Sequence, residues 1–271
     1  MVKKTLFIFG LGFAAQTVAR VALAQGFSVA GTCRTQEKCE SLKSRGIETF
    51  IFNNIAKEAI ANATHILSSI PPQENLGDVI IPYLPSGDRW LGYFSTTGVY
   101  GDYDGEWVDE QSEPRPNNDR LQRRLEAEAQ WQSCGGHIFR LAGIYGAGRS
   151  AIDDVKAGRA LRIDKDGQVF SRIHADDIAQ TVLASMERPN PKAIYNVCDD
   201  EPAPAHEVVA FACELLGAEV PPLIPFAQAE LSAMGREFYN ANRRVKNQRI
   251  KQELGVRLLY PTYREGLRGM L

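Results

Sequence analysis

The chain has 271 residues, a formal charge of −2 and 24% charged residues. That length suffices to bury a large core, as one big domain or one domain with a lobe, and the near-balance of charge argues against a nucleic-acid or membrane-surface partner. No apolar run reaches the length of a membrane span. Five scattered cysteines without a C-x-x-C suit reduced thiols in a cytoplasmic protein, and four histidines without an H-E-x-x-H offer no metal site.

Thr5 to Phe9 is apolar or β-branched, the pattern of a strand buried on both faces of a parallel sheet. It runs into Gly10-Leu11-Gly12-Phe13-Ala14-Ala15, a G-x-G-x-x-A turn. Gly10 permits a sharp turn, Gly12 has no Cβ to hold off a pyrophosphate, and Ala15 lets the next helix pack closely on the strand. The N–H groups opening that helix would face the phosphates. Lys3-Lys4, an apolar run and Ala22-Leu23-Ala24 imitate a secretory signal peptide, but Gln16 and Arg20 interrupt the run. Val18, Val21, Ala22 and Gln25 fit one amphipathic helix instead. A dinucleotide-binding turn accounts better for the stretch, because a second strand follows on schedule.

The first helix is expected from about Gly12 to Ala24, stopped by Gly26. Phe27 to Cys33 reads as a second strand, Gln36 to Lys43 as a helix closed by Gly46, Glu48 to Phe52 as a third strand and His65 to Ser69 as a fourth. Leu76 to Leu84 reads as a helix ended by Pro85, and Trp90 to Ser95 as a fifth strand. This alternation implies an α/β fold on a doubly wound parallel sheet of the Rossmann kind, with right-handed crossovers. An NAD-binding sheet of that kind carries an acid after its second strand for the ribose 2′-hydroxyl. Gly31-Thr32-Cys33-Arg34-Thr35 has none, the first acid being Glu37. Arg34 stands where a guanidinium makes paired bonds to a 2′-phosphate, which favours NADP over NAD unless Arg34 is merely a solvated surface residue.

Beyond the fifth strand stand Ser95-Thr96-Thr97-Gly98-Val99-Tyr100-Gly101-Asp102, then Phe139-Arg140-Leu141-Ala142-Gly143-Ile144-Tyr145-Gly146-Ala147-Gly148-Arg149, then Arg172-Ile173-His174-Ala175-Asp176-Asp177-Ile178-Ala179. Glu110 and Pro116 precede a helix, Tyr195-Asn196-Val197 reads as a late strand, and Leu254-Gly255 through Tyr260-Pro261 closes the chain. With this ordered set the sequence resembles, over nearly all its length, the extended short-chain dehydrogenase/reductase superfamily, the NAD-dependent epimerase/dehydratases. Within it the G-x-G turn, Thr32-Cys33-Arg34 and Arg244-Val245-Lys246-Asn247 resemble the atypical YeeZ-like subgroup.

The resemblance implies a dinucleotide-binding core over residues 1–145 and a small, mainly substrate-binding lobe over 146–271, with 168–200 returning to the core. It implies cofactor contacts from Gly10, Gly12, Phe13, Ala14, Ala15, Arg34, Thr35, Ser68, Ser69, Ser95, Arg124, Ala142 and Gly143. Substrate contacts would come from Thr97, Arg120, Tyr145, Arg149, His174 and Arg244, the substrate of many relatives being a nucleotide-sugar. Members often pair through helices beside the active site, which leaves a homodimer open.

In this superfamily a tyrosine four residues before a lysine does the acid/base work, beside a serine or threonine after the fifth strand. Thr96 takes the hydroxyl position, and Tyr100 lies on the loop that follows, able to approach the same cleft. With Glu128 as register mark, Arg120 falls at the tyrosine position and Arg124 at the lysine position; no Tyr-x-x-x-Lys occurs in the chain. Arginine stays protonated, so Arg120 is no ordinary general base, though it can hold an anion. Arg124 can still serve the nicotinamide ribose; the alternative for both is a solvated helix face. His174 is expected to bond backbone at a strand end, and Asp177 to cap a helix from Ile178 to Met186. Two functions stay open. One is an NADP-dependent oxidoreductase or epimerase/dehydratase-like enzyme on a small polar, anionic substrate; the other is a dinucleotide sensor that has lost catalysis.

Overall fold

The strand β1 (Thr5–Phe9) divides its side chains between two cores. Leu6 and Ile8 join the larger apolar cluster, while Phe7 and Phe9 join Ile60, Ile138 and Trp131 on the opposite face. Both faces of the strand are therefore covered, as an uncharged apolar run requires. The computed structural model describes residues 4–52, 57–72, 81, 84, 87 and 89–271. The helix expected from Leu76 to Leu84 falls mostly outside the described residues.

Around β1 the chain alternates α1 (Phe13–Ala24), β2 (Ser28–Cys33), α2 (Gln36–Lys43), β3 (Glu48–Ile51), α3 (Lys57–Ala61), β4 (His65–Ser68) and β5 (Trp90–Thr96). Next come β6 (Trp107–Val108), α4 (Asp119–Ser133), β7 (His137–Leu141), β8 (Gly143–Tyr145), α5 (Ala151–Lys156), β9 (Arg162–Asp164) and β10 (Arg172–His174). The chain ends with α6 (Ala175–Glu187), β11 (Ile194–Val197), α7 (Ala205–Leu216), β12 (Leu223–Pro225), α8 (Ala233–Tyr239), β13 (Arg244–Val245), α9 (Gln248–Glu253) and α10 (Tyr263–Arg268).

Seven strands form one parallel sheet in the order β11-β7-β5-β4-β1-β2-β3. The order reverses between β1 and β4, the switch point at which a doubly wound sheet binds ligands beyond its carboxyl strand ends. α1 and α6 pack together on one face, and α4 lays Ala127 and Trp131 on the other. The remaining strands form parallel pairs, β10 with β8, β12 with β9 and β13 with β6. The last of these returns the tail of the chain to the loop that follows β5.

Two expectations are corrected here. Cys33 and Cys39 are joined in a disulfide rather than held as free thiols, because the turn from β2 into α2 brings their Cα atoms to 6.0 Å. Cys134, Cys198 and Cys213 are free. Nor does Asp177 cap a helix: α6 begins earlier, at Ala175, and His174 is its cap, Nδ1 accepting the Asp176 N–H at 3.2 Å. Asp177 is fully buried in the first turn, where Oδ1 accepts the Leu259 N–H (2.7 Å) and Oδ2 the Tyr260 N–H (3.1 Å). It braces the C-terminal segment against α6. Asp177→Asn turns one of the two acceptors into a donor facing an N–H, and is expected to cost about 1–3 kcal/mol at pH 7.5 in urea denaturation.

Candidate functional site

The glycine turn sits at the carboxyl end of β1, next to the switch point. Gly10 adopts φ +81°, and a Cβ there would meet Ile70 Cγ1 at 2.7 Å, so conformation and space both demand glycine. The turn is locked from below: Gly10 N–H donates to Thr32 Oγ1, Leu11 N–H to Thr32 O and Gly12 N–H to Gly10 O, each at 2.8 Å. Ser69 Oγ donates to the Gly10 carbonyl, and Ser68 is buried at the end of β4. Gly12 is the N-cap of α1 and has no side chain to cap it, and a Cβ on Gly12 would have nothing within 4 Å. The first-turn N–H groups of Phe13, Ala14 and Ala15 follow it, above the closely packed Ala14 and Ala15 side chains. A bare helix start under open space fits a dinucleotide pyrophosphate.

Past β2, Arg34 is exposed, and Thr35 accepts the Lys38 N–H at 3.3 Å as the cap of α2. Lys38 reaches back to α1, its Nζ donating to Gln16 Oε1 at 3.2 Å. The β2–α2 turn thus presents two cations. Lys38 was not singled out in the sequence because it looks like any helix-surface lysine.

A cavity of about 590 Å³ lies between the carboxyl ends of the strands and the returning tail. It gathers Ser95, Thr96, Thr97, Arg120, Arg124, Ala142, Gly143, Tyr145 and Arg149 from the expected set. Thr96 Oγ1 accepts the Gly98 N–H at 3.1 Å, so its hydroxyl both caps a turn and lines the cavity. Arg124 Nη1 donates to Tyr93 Oη and to Phe94 O, both at 3.0 Å. Arg120 pairs with Glu237 Oε1 at 3.0 Å. The Arg149 guanidinium lies 5.6 Å from the Phe13 ring centroid, linking the cavity wall to the glycine turn. Among the described residues, five arginines line the cavity against one acid, Glu237.

Three expected site residues lie elsewhere. Tyr100 is wholly buried, because the short turn Thr97–Tyr100 swings its side chain under the sheet. There its Oη donates to Asn196 Oδ1 at 2.8 Å, and burial raises its phenol pKa. His174 is wedged between Tyr145 and Tyr260, its pKa lowered by burial, and is absent from the cavity wall. Arg244 donates Nη1 to Gly105 O, while the cavity is lined by its neighbour Arg243. Adjacent residues of an extended segment point to opposite sides, so choosing within the Arg243-Arg244 pair needed the register of the segment.

Sequence reasoning also missed what supports the site. Glu128 and Arg140 form a buried ion pair beneath Ser95, whose Oγ donates to Glu128. The available signal was an arginine inside the apolar run Phe139-Arg140-Leu141. Arg172, also on the cavity wall, spends Nη1 on the carbonyls of Phe170 (2.7 Å) and Ala203 (3.0 Å). Behind it, burial pushes the Asp199 carboxyl up to about 8, offset only in part by Arg172 and the Glu201 N–H. The folded chain therefore holds a proton that the unfolded chain releases near pH 4. The contribution is full below pH 4 and is lost as pH rises through 8. Asp177, raised to about 6 by burial, acts with the same sign over a narrower window. Above the range in which the buried histidines His65, His137 and His174 titrate, unfolding free energy is expected to fall as pH rises toward 8 in denaturant titrations, with Asp199→Asn flattening that slope.

No family model matches the chain. A structure of a functionally unknown conserved protein from Silicibacter pomeroyi is 45% identical, superposes with a TM-score of 0.91 and pairs 99% of this chain with 98% of that one. Protein YeeZ of Escherichia coli K12 is 25% identical, over 95% of this chain and 97% of its own length. The dTDP-glucose 4,6-dehydratase of Bacillus anthracis, in complex with NAD, shares the fold at 15% identity with a TM-score of 0.76, covering 98% of this chain and 95% of that one.

Proposed function

We propose that the chain, which is similar to YeeZ and shares the fold of NAD-dependent epimerase/dehydratases, is a member of the extended short-chain dehydrogenase/reductase superfamily and an NADP-dependent oxidoreductase acting on a small anionic substrate. The observation that carries this reading is the arginine-lined cavity beside Thr96 and Thr97, at the strand ends next to the glycine turn. The first-turn N–H groups of Phe13 to Ala15 would hold the coenzyme pyrophosphate, and Arg34 with Lys38 the 2′-phosphate. Bound there, the coenzyme supplies or accepts a hydride. The Thr96 hydroxyl, its oxygen already engaged by the Gly98 N–H, turns its proton toward the substrate oxygen and orients it. Arg124, fixed to β5 through Nη1, keeps its other nitrogens for the coenzyme ribose. A guanidinium offers donors and no acceptor, so Arg120 and Arg124 position the ligands and neutralise charge; neither is assigned the withdrawal of a proton. The Arg120–Glu237 pair, occupying the position of the usual tyrosine, favours a second reading, a dinucleotide sensor without turnover.

Calorimetric titration with NADPH and then NADH tests the coenzyme assignment. NADPH is expected to bind at least tenfold more tightly, about 1.4 kcal/mol, with Arg34→Ala removing most of that preference. Equal affinities would return Arg34 to the solvated surface, and binding of neither coenzyme would sink the reading. Coenzyme binding without substrate-dependent change in NADPH absorbance, across keto acids and aldehydes, would leave the sensor.

A further inference from the structure

Among the described residues, five arginines stand on the cavity wall. Arg120 donates to Glu237, Arg124 to Tyr93 and the Phe94 carbonyl, and Arg172 to two backbone carbonyls, while Arg149 is exposed beside the Phe13 ring, where water serves its nitrogens. Arg243 is different. Its Nη1 donates to Gly101 O at 2.8 Å, but its Nε is buried and has no hydrogen-bond partner among the described residues. The acid that acts on it, Asp102, has Oδ1 occupied by the N–H groups of Asn242 (2.7 Å) and Asp104 (3.2 Å). Burial pulls the guanidinium down to about 10, which leaves it charged at neutral pH. A buried donor on a cation is costly to leave unmatched, and a guanidinium edge matches the two oxygens of an oxyanion.

We infer that Arg243 is a specificity-determining residue that anchors an oxyanion group of the substrate, carboxylate or phosphate, carried on an apolar body. This rests on the reading of the cavity as the substrate side of the site. The apolar body follows from the wall around Arg243. Phe170, Phe238 and Tyr239 line the same cavity, Tyr239 meets Phe170 edge-on at 5.1 Å, and Phe238 remains 59% exposed. An exposed ring on the wall of a cavity offers a face for a flat apolar group, while the arginine excess selects its charge. Arg243 stands on the segment between α8 and β13, and Thr96 at the end of β5. The anchor is therefore on a different element from the hydroxyl that orients the reacting group.

The test is calorimetric titration of the full chain with trans-cinnamate, phenyl phosphate and cinnamamide, which share an apolar body and differ in the group it carries. At least one anion is expected to bind tenfold or more tightly than the amide, and the anion preferred identifies carboxylate or phosphate. Arg243→Gln is expected to lose tenfold or more of that binding. Arg244→Gln, an equal loss of charge at a residue off the cavity wall, is expected to retain it. Equal binding of all three probes by the unaltered chain overturns the proposal without recourse to any variant. So does an equal loss in Arg244→Gln. NADPH is titrated separately: anion selectivity lost with Arg243 in a chain that binds no NADPH would leave the anchor standing and remove the coenzyme reading. NADPH binding without anion selectivity would do the reverse.

Discussion

Glu128→Ala is expected to destabilise the chain by about 3–5 kcal/mol, the cost of leaving a buried charge without its partner. Arg140 gives Glu128 three N–H bonds, from Nε at 3.1 and 3.2 Å and from Nη2 at 2.7 Å, and both side chains are only 4% exposed. The guanidinium also lies over the ring of Tyr100, 4.8 Å to the centroid, which cannot replace a carboxylate. Alanine therefore strands a charged arginine in the central sheet and frees the Ser95 hydroxyl above it. In a chain of this size the midpoint of thermal unfolding is expected to fall by about 10 °C. The double substitution Glu128→Leu, Arg140→Leu is expected to recover most of the loss, since apolar groups of similar volume can replace a buried pair at little cost. A loss below about 1 kcal/mol for Glu128→Ala would show that water reaches Arg140 and that the pair does not hold α4 to β7.

The same pair shows which parts of the molecule could be read in advance. β1, the Gly10 turn and α1 are local: an uncharged apolar run, two glycines and a small residue at fixed spacing constrain one another within a few bonds. The parallel sheet follows from the alternation of such units. Glu128 served only as a register mark, because its partner lies across the gap from α4 to β7 and no periodicity links the two. Tyr100 went astray for a related reason: proximity in sequence to Thr96 does not say which way a short helical turn rotates the fourth residue. The Cys33–Cys39 bond depends on how tightly β2 bends into α2. The anion-holding character of the cavity was half legible, in Arg120, Arg124 and Arg149; of its remaining arginines, Arg172 comes from β10 and Arg243 from the returning tail, which only the fold brings to one wall.

Gly101→Ala is the second substitution with a large expected effect, and it joins stability to the cavity. Gly101 has φ +69° and ψ −144°, a region close to glycine-only, and an alanine held there carries a strain of about 1–3 kcal/mol. Its Cβ would also stand 1.9 Å from the Arg115 carbonyl oxygen and 2.9 Å from the carbon, backbone atoms that have no rotamer in which to escape. Overpacking adds about 1–3 kcal/mol, for a combined loss of roughly 2–6 kcal/mol in urea denaturation. Gly46→Ala separates the two contributions, because Gly46 has φ +80° with nothing within 4 Å of its absent Cβ. A Gly101→Ala loss no larger than that of Gly46→Ala would mean that the loop segment at Arg115 gives way freely. The effect should also reach the ligand. Gly101 O is the acceptor for Arg243 Nη1 at 2.8 Å, and the Arg115 N–H holds Val99 O at 3.0 Å, so parting these segments moves the guanidinium. Under conditions where Gly101→Ala remains folded, anion binding is expected to weaken while NADPH binding at the Gly10 turn, which is held by Thr32 and Ser69 instead, is kept. Parallel calorimetric titrations with the two ligands check this, and an equal loss of both would mark general unfolding instead of a displaced anchor.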